Sequence, residues 1–271
     1  MGCTKTCTIW KYGKWYGSIT VECAPVRETG IGAIGLDFGA KVAIATSEGE
    51  LIESPLFLKQ SQAKINQLSK GLRRKRKPEK RKVKASRRWK KQQAKINKVK
   101  REIANQRQDW THKVAAQIVS DNSLVATEKL NLKGMTRKAK KGKLKPQKSG
   151  LNRKLLDVAI GMIRESIKYK LDEAGGIFLE APTQQLKPTQ RCNECWELTP
   201  KTLNDRVHVG SHCGHIEDRD INSAQVCLTR ARGQELSSLD AESHSSTDCA
   251  SMKHLWTRKR QKTRATSWSA G

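Results

Sequence analysis

Ile31-Gly32-Ala33-Ile34-Gly35-Leu36-Asp37-Phe38-Gly39 reads as an apolar strand that runs into one isolated carboxylate. Val42 to Thr46 is a second apolar strand, and Glu48-Gly49 turns the chain into Leu51-Ile52. A three-stranded meander is expected, with Asp37 at the end of its first strand. Two later segments carry a carboxylate in the same isolated way. Leu124 to Thr127 is a short buried strand that ends on Glu128, and Asp218-Arg219-Asp220-Ile221-Asn222-Ser223-Ala224 opens a short helix expected over Asp220 to Ala231. Between these landmarks, Gln60 to Val119 has helical spacing (Ile65, Leu68, Leu72, then Val83, then Ile96, Val99, Ile103), with a break expected at Pro78. Leu155, Val158, Met162, Ile163, Ile167 and Leu171 make one amphipathic helix ended by Gly175-Gly176, and Ile177-Phe178-Leu179 is the last strand. Meander, helices, strand, helix, strand and helix are the element order of an RNase H-like α/β domain with helical and zinc-ribbon-like insertions.

Working outward, residues 7 to 23 alternate around a Gly13-Lys14 turn and predict a β-hairpin, which two strands alone cannot stabilise in water. Residues 129 to 154 are acid-free and low in complexity, and a flexible loop is expected there. The tail from Gly233 is Ser-rich, then basic, and is expected to be disordered.

The formal charge is +28 over 271 residues, with 54 Lys and Arg against 26 Asp and Glu. A surface that positive holds a polyanion by counterion release. Glu79 is the only acid between Lys70 and Arg101. A solvated helix would mix charge signs for i,i+4 support, so this single-sign run favours nucleic acid. No apolar run approaches the roughly 20 residues of a membrane span, and the N-terminus has no secretory signal pattern. Met1-Gly2-Cys3-Thr4-Lys5-Thr6 fits the N-myristoylation pattern, but a strand start is the better reading. Eight irregularly spaced cysteines point to reduced thiols in a cytosolic compartment, with Cys3, Cys7, Cys23, Cys227 and Cys249 as ordinary small apolar residues.

Acids kept at a few points in so basic a chain suggest divalent metal meeting a phosphate backbone. Two-metal phosphodiester hydrolysis needs converging oxygen ligands that set two Mg²⁺ ions roughly 4 Å apart. Asp37 and Glu128 are expected on strands that could neighbour each other, and Asp220 in the first turn of the last helix, where the dipole favours an anion. Gly35 and Gly39 would let the backbone approach a ligand closely. Taken singly, each acid could be a turn, strand-end or capping residue, and Asp218 is better read as a cap than as a ligand.

Cys192-Asn193-Glu194-Cys195 is a zinc knuckle, followed by Gly210-Ser211-His212-Cys213-Gly214. A structural zinc ribbon needs four ligands, usually from two Cys-x-x-Cys pairs. Gly210 stands where the second pair needs its first cysteine, which leaves Cys192, Cys195 and Cys213 with His208, His212 or His215 as a makeshift fourth ligand.

At Ile34 to Gly39, Thr127 to Met135, Pro188 to Cys195 and Asp218 to Ala224, the chain resembles the transposon-encoded TnpB family (OrfB-type transposases), relatives of the type V CRISPR nucleases. The resemblance covers about residues 7 to 230. It implies a RuvC-like nuclease domain with Asp37, Glu128 and Asp220 as the metal-holding catalytic acids, and an inserted zinc ribbon. It also implies an RNA guide from the element's own end that directs cleavage of DNA, with the protein holding the heteroduplex by its backbone.

The implied organisation is a remnant hairpin at 1–28 and a nuclease domain at 29–185 with a basic helical insertion at about 60–119. The zinc-ribbon-like insertion follows at 186–217, the final helix at 218–232 and the tail at 233–271. The family's N-terminal lobe is represented only by the hairpin, so a truncated copy is the expectation, acting in a prokaryotic cytoplasm beside the nucleoid. Two other readings remain: a nucleic-acid-binding remnant without catalysis, and a ribosome-associated zinc-knuckle protein, which leaves the three acids unexplained.

Overall fold

The structure is a computed structural model that describes residues 3–11, 14–21, 27–77, 84–138, 145–202 and 205–242. The expectations at Met1-Gly2, Gly13, Cys23, Pro78, Val83, Cys249 and the far tail lie outside them. A five-stranded mixed sheet forms the centre, from β3 (Gly32–Phe38), β4 (Ile44–Thr46), β5 (Leu51–Ile52), β6 (Asn122–Glu128) and β7 (Ile177–Ala181). It is preceded by the hairpin β1 (Cys3–Lys11) and β2 (Lys14–Val21). The strand order is β5-β4-β3-β6-β7, with β3, β6 and β7 parallel and the meander antiparallel. The expected meander is therefore present, and Gly49 at φ 94 makes its turn. Parallel neighbours need long crossovers. Helices α1 (Phe57–Arg73) and α2 (Arg87–Asp121) supply one, while α3 (Leu132–Met135), α4 (Lys145–Val158) and α5 (Ile160–Ala174) supply the other. The chain then continues through α6 (Thr183–Leu186), the small ribbon of β8 (Val207–Val209) and β9 (Ile216–Asp218), and α7 (Arg219–Glu242).

Alternation along the strands sorts residues to two faces. Ile34, Leu36, Phe38 and Val125 pack with Ala115, Ile118 and Val119 of α2 and Ile163, Ile167 and Leu171 of α5. On the opposite face, Ala126 and Ala181 pack with Val226, Cys227 and Ala231 of α7. Gly35 lies under this helix: a methyl there would stand 1.9 Å from the Ala224 carbonyl oxygen and 3.0 Å from Leu228 Cβ. Gly35 thus serves a helix-on-strand contact, and Gly39, whose added Cβ would stand 2.7 Å from the Val42 carbonyl oxygen, serves a tight turn.

Three expectations are corrected. Residues 145 to 154 are helical rather than a loop, and the single amphipathic helix is split, because Ala159 takes a left-handed conformation at φ 62. The last helix also continues past Ala231 and through Gly233 to Glu242.

The basic insertion is a helical pair. Ile65 of α1 meets Val99 and Ile103 of α2, with Phe57, Leu58 and Leu68 alongside, while Lys90, Lys91, Lys95, Lys98 and Lys100 stay exposed. Its fastening is one buried carboxylate. Helix α1 has no side-chain cap of its own, and Asp157 of α4 accepts hydrogen bonds from Leu58 N (3.1 Å) and Lys59 N (3.3 Å). The same carboxylate accepts from Arg107 of α2 at 2.6 Å. The exposed hairpin faces α2 across a cleft, with Ile9, Lys14 and Tyr16 on one side and Asn97, Lys100 and Arg101 on the other.

Asp157→Ala strands the Arg107 guanidinium and uncaps α1, so it is expected to cost about 3 kcal/mol in denaturant unfolding. Gly35→Ala is expected to displace α7 and to show a larger loss of thermal stability than Gly150→Ala, where an added Cβ meets nothing within 4 Å.

Candidate active site and cysteine cluster

The three predicted acids arrive from three elements on the α7 face. Asp37 shares its face with Gly35, and Glu128 shares its face with Ala126, both of which pack under α7. The parallel register sets Leu36 level with Thr127, so Asp37 and Glu128 follow each other at the ends of adjacent strands. Asp220 lies in the first turn of α7, whose N-terminus is capped by Asp218. The Asp218 Oδ1 accepts from Asp220 N (2.8 Å) and Ile221 N (3.3 Å), so Asp218 is the cap that the sequence predicts.

Asp37 is only 8% exposed. Burial, then the negative charges of Glu128 and Asp220, raise its pKa to about 8; a backbone hydrogen bond at Phe38 and the Arg219 charge pull weakly the other way. Burial also raises the pKa of Glu128, against the hydroxyl of Thr183 and the charge of Arg164. The thiol of Cys227, buried on α7, is pushed well above the usual range by burial and by Asp37 and Glu128. It borders the acids, which its sequence neighbourhood gave no sign of.

Two cations hold the rim. Arg219 donates from Nε (3.1 Å) and a terminal nitrogen (3.0 Å) to Asp220 Oδ1. Arg164 of α5 pairs with Glu180 of β7 and donates to the Leu130 carbonyl at 3.4 Å. Three carboxylates that feel one another's charge offer hard oxygen ligands of the kind a divalent cation takes. Asp37, Glu128 and Asp220 could hold it.

The knuckle residues also gather. The sulfurs of Cys192, Cys195 and Cys213 lie within 4.8 Å of one another, and Cys192 and Cys213 are 3.6 Å apart. Gly210 faces them: a Cβ there would stand 2.8 Å from the Cys213 sulfur and 3.2 Å from that of Cys192. Among the described residues no histidine joins the group. His208 is fully buried, its Nδ1 against Lys201 and its Nε2 without a partner, and His215 Nε2 lies 3.3 Å from Glu217. Three of the four ligands of a zinc ribbon are thus present and the fourth is not.

Asn222 ties this cluster to the acids. Buried on α7, it donates to the Arg191 carbonyl at 2.7 Å and accepts from Asn193 N at 3.1 Å, on either side of Cys192. No sequence signal separates this role from that of an ordinary helix-start polar residue.

Metal-free, Asp37 binds a proton more tightly in the folded state than in the unfolded chain. Its contribution to stability is therefore present below pH 4 and lost as pH rises toward 8. In chelator, Asp37→Asn is expected to melt above the wild type by a margin that grows from pH 5 to pH 8.5. Each kcal/mol recovered raises the midpoint by roughly 2–4 °C. Added Mg²⁺ should narrow the gap by stabilising the wild type alone, whereas a pH-independent margin would contradict the raised pKa of Asp37.

Residues 18–139 match the family model of the OrfB_IS605 "Probable transposase", and residues 161–227 match the Cas12f1-like TNB domain. Curated relatives include one from Escherichia coli (strain K12), 30% identical over 225 residues, named "Putative RNA-guided DNA endonuclease InsQ". One from Streptomyces pristinaespiralis is 27% identical over 221 residues and carries the same name without the final word. Each alignment takes in 80% of this chain, which spans 54% and 50% of the two relatives, about half their length. A chain of a Cas12f1–sgRNA–target DNA complex solved by cryo-EM matches with TM-score 0.53 and 19% identity, over 79% of this chain and 42% of that one. The likeness shows a shared fold. Among the described residues no helix is long and apolar enough to cross a membrane. The chain is thus similar to the OrfB_IS605 transposases through the acid-bearing strands and to the Cas12f1-like TNB domain through the knuckle and α7.

Proposed function

We propose that this chain is an RNA-guided, metal-dependent DNA endonuclease whose RuvC-like, RNase H-like domain cleaves phosphodiester bonds at Asp37, Glu128 and Asp220. The observation that carries the reading is the convergence of these acids on one sheet face, close enough for two of them to raise the pKa of the third. The names of the curated relatives support the reaction, and the nucleic acids in the Cas12f1 complex support the partners, guide RNA and target DNA. The proposed domain layout keeps the nuclease unit at 29–185 with its basic insertion, the ribbon at 186–217 and the returning helix from 218.

The three carboxylates would hold two Mg²⁺ ions, which when bound supply an activated water and a stabilised leaving oxygen for in-line hydrolysis. The chain's own residues do the rest. Burial withdraws Asp37 from bulk water, and the α7 N-terminus favours the negative charge of Asp220. Arg219 fixes the orientation of the Asp220 carboxylate, and the Thr183 hydroxyl and the Arg164 charge oppose the rise that burial imposes on the pKa of Glu128. The lysines along α1 and α2 hold phosphate backbone without reading sequence, so their contribution falls steeply with salt. A guide transcribed from the transposon's end would supply the sequence reading.

The test is incubation of the full chain, purified with RNA from its element's end, with plasmid DNA in Mg²⁺ or chelator. Cleavage is expected only with metal. Asp37→Ala, Glu128→Ala and Asp220→Ala are each expected to reduce it at least roughly a thousandfold while leaving nucleic-acid binding intact. Salt-sensitive binding without cleavage, or an Asp37→Ala protein that still cuts, would contradict the proposal.

A further inference from the structure

The family's zinc ribbon needs four ligands, and this chain offers three thiols with a glycine facing them. We propose that Cys192, Cys195 and Cys213 form a three-thiolate metal site, open at the corner faced by Gly210. It takes thiophilic ions that are complete with three sulfurs in preference to zinc.

The geometry is that of a built site with one side missing. Sulfurs around a tetrahedral zinc stand roughly 3.8 Å apart, given Zn–S bonds near 2.3 Å. Cys192 and Cys213 are 3.6 Å apart, and all three sulfurs fall within 4.8 Å. Both turns that present them are formed. In the first, Trp196 N donates to the Cys192 carbonyl (3.0 Å) and Cys192 N to the Glu197 carbonyl (2.9 Å), with Trp196 at φ 63. In the second, Gly210 N donates to the His215 carbonyl and Gly214 N to the Gly210 carbonyl, each at 2.8 Å, with Gly214 at φ 71. The second knuckle thus keeps its backbone although its first ligand is absent.

Gly210 occupies the fourth position and has no atom to give. Its missing Cβ would lie almost against two of the sulfurs. Neither nearby histidine joins the three sulfurs: His215 lies against Glu217, and His208 is buried beside Lys201 with its unpartnered Nε2 outside the group. Zinc bound here must complete its shell with a solvent ligand. An ion that prefers three sulfurs loses nothing, because soft thiolates select soft ions and geometry then decides among them. Trivalent arsenic is the clearest probe. As arsenous acid it forms three As–S bonds, each thiol proton leaving with one arsenic hydroxyl as water, and the arsenic stays trivalent. Cys213 is exposed, which gives the ion a way in.

The test uses the full chain, reduced and freed of metal. Arsenous acid is titrated in and followed by sulfur-to-arsenic charge-transfer absorbance, and thiol alkylation is mapped by mass spectrometry. One arsenic per chain is expected, protecting Cys192, Cys195 and Cys213 together and leaving Cys7 reactive. Cys213→Ser should abolish the absorbance at one equivalent. Zinc affinity, measured against a chromophoric chelator, is expected to be unchanged in His208→Ala and to tighten roughly a hundredfold in Gly210→Cys. Protection of only two thiols would overturn the proposal. So would zinc binding that collapses in His208→Ala, or that competes evenly with arsenic in the wild type. These readouts are independent of nuclease activity, and the wild-type protection map decides the question even where Gly210→Cys fails to fold.

Discussion

The close seat of α7 on β3 is the constraint on which the site depends. It exists because residue 35 has no side chain: any Cβ would collide with the Ala224 carbonyl. With the helix against the strand, Asp220 comes within electrostatic reach of Asp37, and Glu128 completes the group from the neighbouring parallel strand. Ser47 and Gln225 reinforce the seat. Gly35 N donates to Ser47 Oγ at 3.0 Å, and Gln225 reaches the Ser47 carbonyl at 3.4 Å. A buried cluster of like charges is costly in the apo protein. The sheet and α7 carry that cost at a place where a cation would offset it.

The same helix links the acids to the cysteines. Asn222, two residues after Asp220, grips the backbone on both sides of Cys192, and Thr229 Oγ1 donates to Asn193 Oδ1 at 2.8 Å. The state of the cysteine cluster therefore bears on the start of α7. On the other face, Asp157 ties α1 and α2 to α4, so the basic helical pair is anchored to the scaffold rather than tethered to it.

Much of this was legible in the sequence. Strand-end carboxylates after apolar runs marked Asp37 and Glu128, and the cysteine spacing marked the gap at Gly210. The misses have physical reasons. Residues 145 to 154 are so rich in Lys and Arg that apolar periodicity is faint until Leu155, yet they continue as helix into the packed turn at Leu155 and Val158. The break falls on Ala159, an alanine, rather than on Gly161 two residues later, so the residue that turns gives no sign of it. Arg164, Asn222 and Asp157 act on partners 16 to 99 residues away, which no local pattern reveals. Gly35 was read for close backbone approach, and the group the structure brings against it is helix α7.

The central claim is that three distant carboxylates share divalent cations. Anomalous diffraction from crystals grown with Mn²⁺ tests it most directly. The account predicts two peaks roughly 4 Å apart, with oxygens of Asp37, Glu128 and Asp220 all within coordination distance. Ions bound by one of these acids alone, or no peak on the α7 face of the sheet, would contradict it.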